Sequence, residues 1–312
     1  MRCDLCSGRR EGSLPPLVTR HEFGLAHGTP SSQRHGAWEE VTGRDNRWLK
    51  KFRSALRESA IAKDGCIAVE GPHLVQEALN SRLRVAAALA SPGGSEKFAA
   101  LLDQVRLRDP SVRMLRTTDK MFASVAGTER PQGVAALVQP RAWTLDEVMR
   151  SGSLLVVLLG IQDPGNTGTI IRSAEAFGAA GALLCAGTAH PWSQKVLRAS
   201  AGSALRLPLV QAPPAAVLLA QLRIAGLRTV AASLRAETLP SAYDFRGPTA
   251  LWIGNEASGL PPSVEQSVDA RVGIPLAAGV DSLNAAVAAS VLLYEAARQR
   301  GGLADAPPGR KA

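Results

Sequence analysis

Three loop segments carry polar side chains of the kinds that orient a substrate or bind a charged ligand. The first has the sequence PGNTGTIIR and follows an apolar run at 154–159. Asn166, or the threonine after it, can cap a helix here, and Gly168 allows close approach of another backbone or a ligand. A pair with Glu175 would explain Arg172 alone, but not the Gly-Asn turn ahead of it. The turn and the arginine together indicate a functional segment.

The second segment, LWIGNEASGL at 251–260, begins as a buried strand and breaks into Gly254, Asn255 and Glu256. Glu256 at such a turn can accept hydrogen bonds from a ribose or an amine, which favours a functional role. The alternative is that Glu256 caps a helix that begins near Ser263.

The third segment leads from an extended stretch at 272–276 into a long alanine-rich helix predicted at Ser282–Arg298. A helix that is apolar nearly all round is buried against another helix or a second subunit. Capping explains Ser282 well, but it explains Asn284 poorly. Asn284 is therefore a candidate site residue.

All three segments follow predicted strands of one parallel-sheet α/β domain. In open parallel sheets, ligands bind at the carboxyl ends of the strands. The glycines fit neither G-x-G-x-x-G nor G-x-x-x-x-G-K-[ST], which argues against a dinucleotide-dependent oxidoreductase and a P-loop. The predicted strands are Leu154–Leu159, Ala182–Ala186, Leu205–Val210, Arg228–Ala232, Ala250–Ile253 and Val272–Ile274, and the helices before the last one are Thr167–Phe177, Gln194–Ala201 and Ala215–Ala225.

Short strands and helices also alternate in the first half of the chain, which predicts a compact α/β domain there. The predicted strands are 66–71, 85–91, 112–116 and 133–140, and the helices are 73–80, 95–105 and 119–125. Ahead of them, apolar residues at three- and four-residue steps predict an amphipathic helix from Asp45 to Ala60. Its other face is either a solvated surface or an RNA-backbone contact, and it carries Arg47, Lys50, Lys51, Arg53 and Arg57.

Composition places two domains within 312 residues, between tails rich in glycine, proline and arginine. The predicted limits are an extension at 1–40, a first domain at 41–140, a linker at 141–152, a second domain at 153–302 and a tail at 303–312. The spacing of Cys3, Cys6, His21 and His27 fits a loose zinc-finger template, but the stretch between them lacks strands to position the ligands. We therefore predict a flexible extension and no metal site.

The net charge of +9 favours a polyanion, and nucleic acid ahead of a membrane surface. Aromatic residues make up only 4% of the chain, which argues against base stacking as the main mode of binding. No apolar run approaches the roughly 20 residues of a membrane span, and the N-terminus lacks a secretory signal. We expect a cytoplasmic protein with no membrane partner.

The three segments NTGTIIRSAEAFG, IGNEASGL and GIPLAAGVDSLNAAVAASVLLYEA together resemble the SpoU (TrmH-like) class of the SPOUT RNA methyltransferases. The resemblance covers about 154–300 in the order and spacing of that family. The first half, with VEGPHLVQEAL and TERPQGVAAL, looks more loosely like the ribosomal-protein-like RNA-binding domain that often precedes this catalytic domain.

The resemblance implies an S-adenosylmethionine-dependent enzyme that methylates a ribose 2′-hydroxyl in RNA. It also implies a homodimer and an α/β fold whose C-terminal segment forms a deep trefoil knot, which general topology rules would never suggest. The catalytic residues would be Arg172, Asn166, Glu256, Ser282 and Asn284. The cofactor would bind, largely through backbone groups, at Gly254, Ile274, Leu283, Asn255 and Leu276.

Methyl transfer from a sulfonium needs an aligned oxygen, methyl group and sulfur, together with removal of the ribose proton. Arg172 is the catalytic residue by family analogy, but a guanidinium keeps its proton at neutral pH and is a poor base. Stabilisation of developing charge is the safer role for it.

The separate N-terminal domain favours ribosomal RNA of the large subunit over transfer RNA as the substrate. The alternatives are a tRNA 2′-O-methyltransferase and a catalytically inactive RNA-binding or assembly factor on the same scaffold. The joint presence of the five polar candidates argues against the inactive factor.

Overall fold

The computed structural model describes residues 38–57, 61–62 and 64–301. The predicted zinc ligands, nearly all of the predicted extension and the C-terminal tail lie outside these residues. Within the described part, no helix is long and apolar enough to cross a membrane.

The first half contains a five-stranded mixed sheet built from short apolar strands. Its strand order is β1-β4-β3-β5-β2, with β5 antiparallel to both of its neighbours. The strands are Glu39–Glu40 (β1), Ile67–Glu70 (β2), Arg84–Ala90 (β3), Arg113–Arg116 (β4) and Val134–Gln139 (β5). The helices are Arg47–Arg57 (α1), Pro72–Asn80 (α2), Pro92–Lys97 (α3), Ala99–Arg108 (α4) and Asp119–Val125 (α5).

One helix prediction in this half needed correction. The helix predicted at 95–105 is two helices, because the backbone of Phe98 leaves helical geometry between α3 and α4. The first of them begins with Pro92 behind a capping serine, Ser91, whose hydroxyl accepts a hydrogen bond from the Gly94 N–H. Of the helix predicted from Asp45 to Ala60, α1 covers Arg47–Arg57, and residues 58–60 lie outside the described part of the chain.

The second half contains a six-stranded sheet in which every neighbouring pair is parallel, as predicted. Its order is β11-β9-β10-β6-β7-β8. The strands are Leu154–Leu158 (β6), Gly181–Leu184 (β7), Leu209–Gln211 (β8), Arg228–Ala232 (β9), Thr249–Ile253 (β10) and Ala270–Val272 (β11). The helices are Leu145–Ser151 (α6), Pro164–Ala176 (α7), Gln194–Ala199 (α8), Ala215–Ile224 (α9), Pro262–Glu265 (α10) and Ala285–Gln299 (α11), with 3-10 turns at Ser203–Leu205 and Pro240–Ala242.

The strand order changes direction next to β6. From β6 the chain adds β7 and then β8 on one side. It then crosses to the other side of β6, where β10 lies next to β6 and β9 lies next to β10. All five residues of both central strands are buried, which explains why every one of them except Thr249 is apolar. The carboxyl ends of β6 and β10 therefore form the switch point at which open parallel sheets bind their ligands.

Two strands of this sheet differ from their predicted positions, one because of a 3-10 turn and one because of a glycine. The strand predicted at Leu205–Val210 begins only at Leu209, because a 3-10 turn occupies 203–205. The strand predicted at Val272–Ile274 ends at Val272, where Gly273 lies against the backbone oxygens of Ala236 and Ser233.

The two sheets are joined by one apolar core and by polar contacts. A single cluster of buried residues includes side chains from both sheets. The Gln194 side chain donates a hydrogen bond of 2.8 Å to the backbone oxygen of Ala68 in β2. Arg206 forms ion pairs with Glu77 of α2 and Glu175 of α7. The first sheet is thus held in place beside the helices of the second.

Candidate active site

The loop after β6 leads into α7, and Asp163 caps this helix. Its carboxylate accepts a hydrogen bond of 2.8 Å from the Asn166 N–H, and Pro164 occupies the first helical position. The prediction that Asn166 or Thr167 is the cap was therefore wrong. Thr167 is fully buried, with its hydroxyl directed to the Ile161 carbonyl, whereas the side chain of Asn166 is free for other contacts.

Gly168 serves the packing of α7 against α8. A Cβ atom at this position would lie 2.5 Å from the Cβ of Ala199 and 2.7 Å from the Val196 oxygen. Of the two approaches that the sequence allowed at this glycine, another backbone or a ligand, the structure shows the backbone.

The loop after β10 is a tight turn closed by Asn255. The Asn255 side-chain oxygen accepts hydrogen bonds from the backbone of Ala257 and Ser258, and its amide donates to the Gly160 oxygen at 2.8 Å. A Cβ on Gly254 would lie 2.3 Å from the Gly259 carbonyl carbon. Asn255 therefore links this loop to the one after β6, and Gly254 is required by the close return of the chain.

Glu256 extends from this turn to the start of α7. Its carboxylate accepts hydrogen bonds from the side-chain amide of Asn166 at 3.0 Å and from the N–H groups of Asp163 and Gln162 at 3.3 and 3.4 Å. Partial burial raises the pKa of this carboxyl, but these hydrogen bonds outweigh it, so the net pKa lies below the usual 4.5. Glu256 caps no helix, since α10 begins only at Pro262.

Asn284 begins α11 and reaches back to α7. Its side-chain oxygen accepts hydrogen bonds from the N–H groups of Ala286 and Val287, which makes it the helix cap. Its amide donates a hydrogen bond of 2.9 Å to the side-chain oxygen of Asn166. The assignment of the cap to Ser282 was wrong, because the chain at 281–284 is not yet helical.

The three loops therefore meet in one chain of side-chain hydrogen bonds, from Asn284 to Asn166 to Glu256. The oxygen of Asn166 accepts from one neighbour and its amide donates to the other, which fixes the orientation of this side chain. The cap residue Asp163 and the backbone donor Gln162 are further members of the cluster that the sequence analysis missed. An Asp-Pro pair ahead of a helix is the pattern that could have identified Asp163.

Arg172 lies outside this hydrogen-bonded cluster. It is exposed on α7, one and a half turns beyond Asn166, and no side chain or carbonyl of the described residues pairs with it. The alternative of a pair with Glu175 was wrong, because Glu175 binds Arg206 at 2.6 Å. Ser282 is likewise exposed and makes no hydrogen bond within the described chain.

Backbone groups are available for a nucleoside ligand at the remaining predicted positions. Gly254 is buried, and Ile274, Leu276 and Leu283 are half-buried. The N–H and C=O groups of these four residues have no hydrogen-bond partner in the described part of the chain. A backbone group that is buried away from water needs a partner, which applies to Gly254, so these loops suit a cofactor that is recognised mainly through the backbone.

The basic face predicted on α1 is largely engaged within the molecule. Lys50 pairs with Asp45 at 2.9 Å, and Lys51 pairs with Asp64. The Arg47 guanidinium lies 5.4 Å from the ring centre of Trp48. Arg53 has no such partner among the described residues.

Comparison with known proteins gives two matching family models. The SpoU rRNA methylase family matches residues 153–294, and the MRM3-like substrate binding domain matches residues 50–136. An uncharacterized tRNA/rRNA methyltransferase of Synechocystis sp. is 36% identical over 83% of this chain and 94% of its own length. The 23S rRNA (guanosine(2553)-2′-O)-methyltransferase RlmP of Bacillus subtilis is 27% identical over 82% of this chain and 98% of its own.

Solved structures with AdoMet also match over most of the chain. The AdoMet-bound rRNA methyltransferase from Sinorhizobium meliloti has a TM-score of 0.72 and 29% identity, covering 83% of this chain and 97% of that one. The SpoU methyltransferase AviRb from Streptomyces viridochromogenes, in complex with AdoMet, has a TM-score of 0.72 and 30% identity, covering 82% and 98%.

Proposed function

The chain belongs to the SpoU rRNA methylase family, and from this premise we propose that it transfers a methyl group from S-adenosylmethionine to a ribose 2′-hydroxyl of RNA. The observation that carries the proposal is the hydrogen-bonded chain Asn284–Asn166–Glu256. It joins three loops beside the switch point of the parallel sheet, where a ligand is expected.

The cofactor fits the backbone groups of Gly254, Ile274, Leu276 and Leu283, which have no hydrogen-bond partner among the described residues. When bound, S-adenosylmethionine supplies an electrophilic methyl group. None of these four residues has an ionisable side chain. They would therefore hold the adenosine part of the cofactor by backbone hydrogen bonds and by shape. Asn255 uses its side chain to link the two loops and its backbone N–H and C=O to bond with Gly259, so it would contribute by shaping the turn.

Arg172 would contact the ribose-phosphate of the RNA and stabilise the charge that develops on the ribose oxygen. Its guanidinium is exposed and has no partner in the described part of the chain, which supports this role because such a cation is available to an anionic substrate. Asn166 would orient the ribose, and Ser282 would complete the pocket from the third loop.

Glu256 would position Asn166 and the start of α7 rather than remove the ribose proton. Its carboxylate is stabilised by hydrogen bonds that lower its pKa, which makes it a weak proton acceptor at neutral pH. Asn284 would act in the same way from the opposite side of Asn166.

The substrate we favour is large-subunit ribosomal RNA, and the site of action the cytoplasm. The match of residues 50–136 to a substrate binding domain and the net charge of +9 support an RNA partner. RlmP of Bacillus subtilis is named for 23S rRNA. The extension at 1–40, the linker at 141–152 and the tail at 303–312 stay predictions, although Glu39–Glu40 at the end of the extension pair with β4 and the linker contains α6. The knot implied by the family would lie in the segment between β11 and α11.

The test incubates the purified protein with methyl-labelled S-adenosylmethionine and either 23S rRNA transcripts or bulk tRNA. Label in the 23S transcript supports the proposal. Label in tRNA alone would select the tRNA alternative. An absence of label in both RNAs, together with no calorimetric binding of the cofactor, would select the inactive factor.

A homodimer is the second part of the proposal. Val287, Val291 and Tyr294 are 48%, 40% and 48% exposed and recur on one face of α11 at four- and three-residue steps. An apolar stripe of this kind marks an interaction surface. α11 packs on α7 through the hydroxyls of Ser173 and Ser290, 2.7 Å apart, so the interface would lie beside the helix of Arg172. Light scattering should give twice the chain mass, and V291D should give a monomer.

A further inference from the structure

A groove of about 640 Å³ lies between the two sheets, next to the candidate site. The end of α1 and the loop at 126–129 form one wall, and α8 forms the other. Gln162, from the loop before α7, and Pro164, the first residue of α7, line it as well. The groove thus connects the matched substrate-binding half of the chain to the helix that carries Asn166 and Arg172.

The walls of this groove are fixed by buried hydrogen bonds. Glu70 is only 6% exposed, and its carboxylate accepts hydrogen bonds from the Gly127 N–H at 2.7 Å and from the Thr128 hydroxyl. On the other wall, Gln194 is 5% exposed and bonds to Ala68 of β2. A ligand would therefore meet a site formed in advance, which lowers the entropic cost of binding.

The charged side chains that line the groove are mainly cationic. The lining includes three cationic side chains, Arg57, Lys195 and Arg198, and one carboxylate, that of Glu129. Lys195 and Arg198 are exposed, and neither has an ion-pair or hydrogen-bond partner among the described residues. Arg57 uses its Nε to donate to the Ala126 oxygen at 3.1 Å, which leaves its terminal nitrogens for a ligand.

The spacing of the two cations on α8 suits successive phosphates of a nucleic acid strand. Lys195 and Arg198 are three residues apart, so their side chains are neighbours on the exposed face of this helix. Of the cations on α1, Lys50 and Lys51 offer less than Arg57, because they already pair with carboxylates.

We propose that this groove binds the phosphates of the RNA strand that flanks the target nucleotide, through Lys195, Arg198 and Arg57. The inference rests on the proposed function and adds the route by which the substrate reaches the site. Phosphate contacts fix the register of a nucleic acid without reading its sequence, so the groove would place the target ribose beside α7.

The experiment measures the affinity of the full chain for a fluorescein-labelled 24-nucleotide single-stranded RNA over a series of salt concentrations. The test variant is K195A/R198A. The control variant K97A/R106A removes the same charge from α3 and α4, and neither of its residues lines the groove. Because each lost single-strand contact removes about 0.7 from the slope of log K against log salt, the test variant should lose about 1.4 and the control none.

Cofactor affinity and melting temperature should be unchanged in both variants. None of the four substituted side chains bonds to a residue of the cofactor loops. A test variant that keeps the slope of the unmodified protein would overturn the groove assignment, whether or not the protein methylates RNA. A reduced slope in a protein that transfers no methyl group would support the groove and reject the proposed function.

Discussion

The carboxyl edge of the parallel sheet and the middle of α7 are constructed in opposite ways. At the edge, Asn166, Glu256 and Asn284 satisfy one another by hydrogen bonds of 2.9 and 3.0 Å. On α7, Arg172 is exposed and has no partner among the described residues. Mutually satisfied groups hold a geometry, whereas an unsatisfied cation is available to a substrate. The difference separates positioning residues from the residue that acts on RNA.

The largest expected effect comes from R172A. Loss of a charge-stabilising donor in a catalytic site costs about 10²–10³-fold in kcat, and cofactor affinity by calorimetry should stay unchanged. R172K is the matched variant: it keeps the charge but loses the planar fork and should recover only part of the activity. An R172A enzyme with normal kcat would remove the arginine from the mechanism.

Glu256 is the next position at which the comparison can be tested. E256A removes the acceptor of the Asn166 amide and of two backbone N–H groups. The start of α7 is then no longer held against the loop after β10 by these hydrogen bonds. Displacement of catalytic groups by about 1 Å can cost up to about 10²-fold, and we expect a loss below that of R172A. E256Q keeps one acceptor oxygen and should retain more kcat/KM than E256A. Equal losses in both would indicate that the negative charge itself is needed.

Asn284 separates helix capping from positioning. N284A loses the cap of α11 and should lower the free energy of unfolding by about 1 kcal/mol. N284D keeps a capping oxygen but loses the amide that donates to Asn166, so its stability should remain and its activity should fall. The two variants are compared by urea unfolding and by methyl transfer. Normal activity in N284D would show that Asn284 acts only as a cap.

The smallest effect concerns the pH dependence of stability. The pKa of Glu256 is lowered in the folded protein, so its contribution is present above the unfolded pKa of about 4.3 and is lost as pH falls through the folded value. The unmodified protein should therefore lose more stability than E256Q when urea unfolding is compared at pH 6 and below pH 4. Parallel pH profiles for the two proteins would contradict the assigned direction.

The sequence predicted which segments meet, because strands of a parallel sheet place their carboxyl ends at one edge. It did not predict how they meet. Ser282 and Asn284 are both good helix caps, and only the path of the chain after Pro275 decides that α11 begins at Ala285. Glu175 was within reach of Arg172 by local spacing, but Arg206, 31 residues further on, binds it instead. The groove required the relative position of two sheets, which local patterns do not contain.

The central claim is ribose methylation that depends on Arg172, and alkaline hydrolysis of labelled product tests it most directly. A 2′-O-methyl group blocks cleavage of the adjacent phosphodiester, so label from methyl-labelled S-adenosylmethionine should appear in an alkali-resistant dinucleotide of 23S rRNA. R172A, still able to bind the cofactor, should form this dinucleotide about 10²–10³-fold more slowly. Label released in mononucleotides, which indicates methylation of a base, or a full yield of labelled dinucleotide from R172A, would contradict the account.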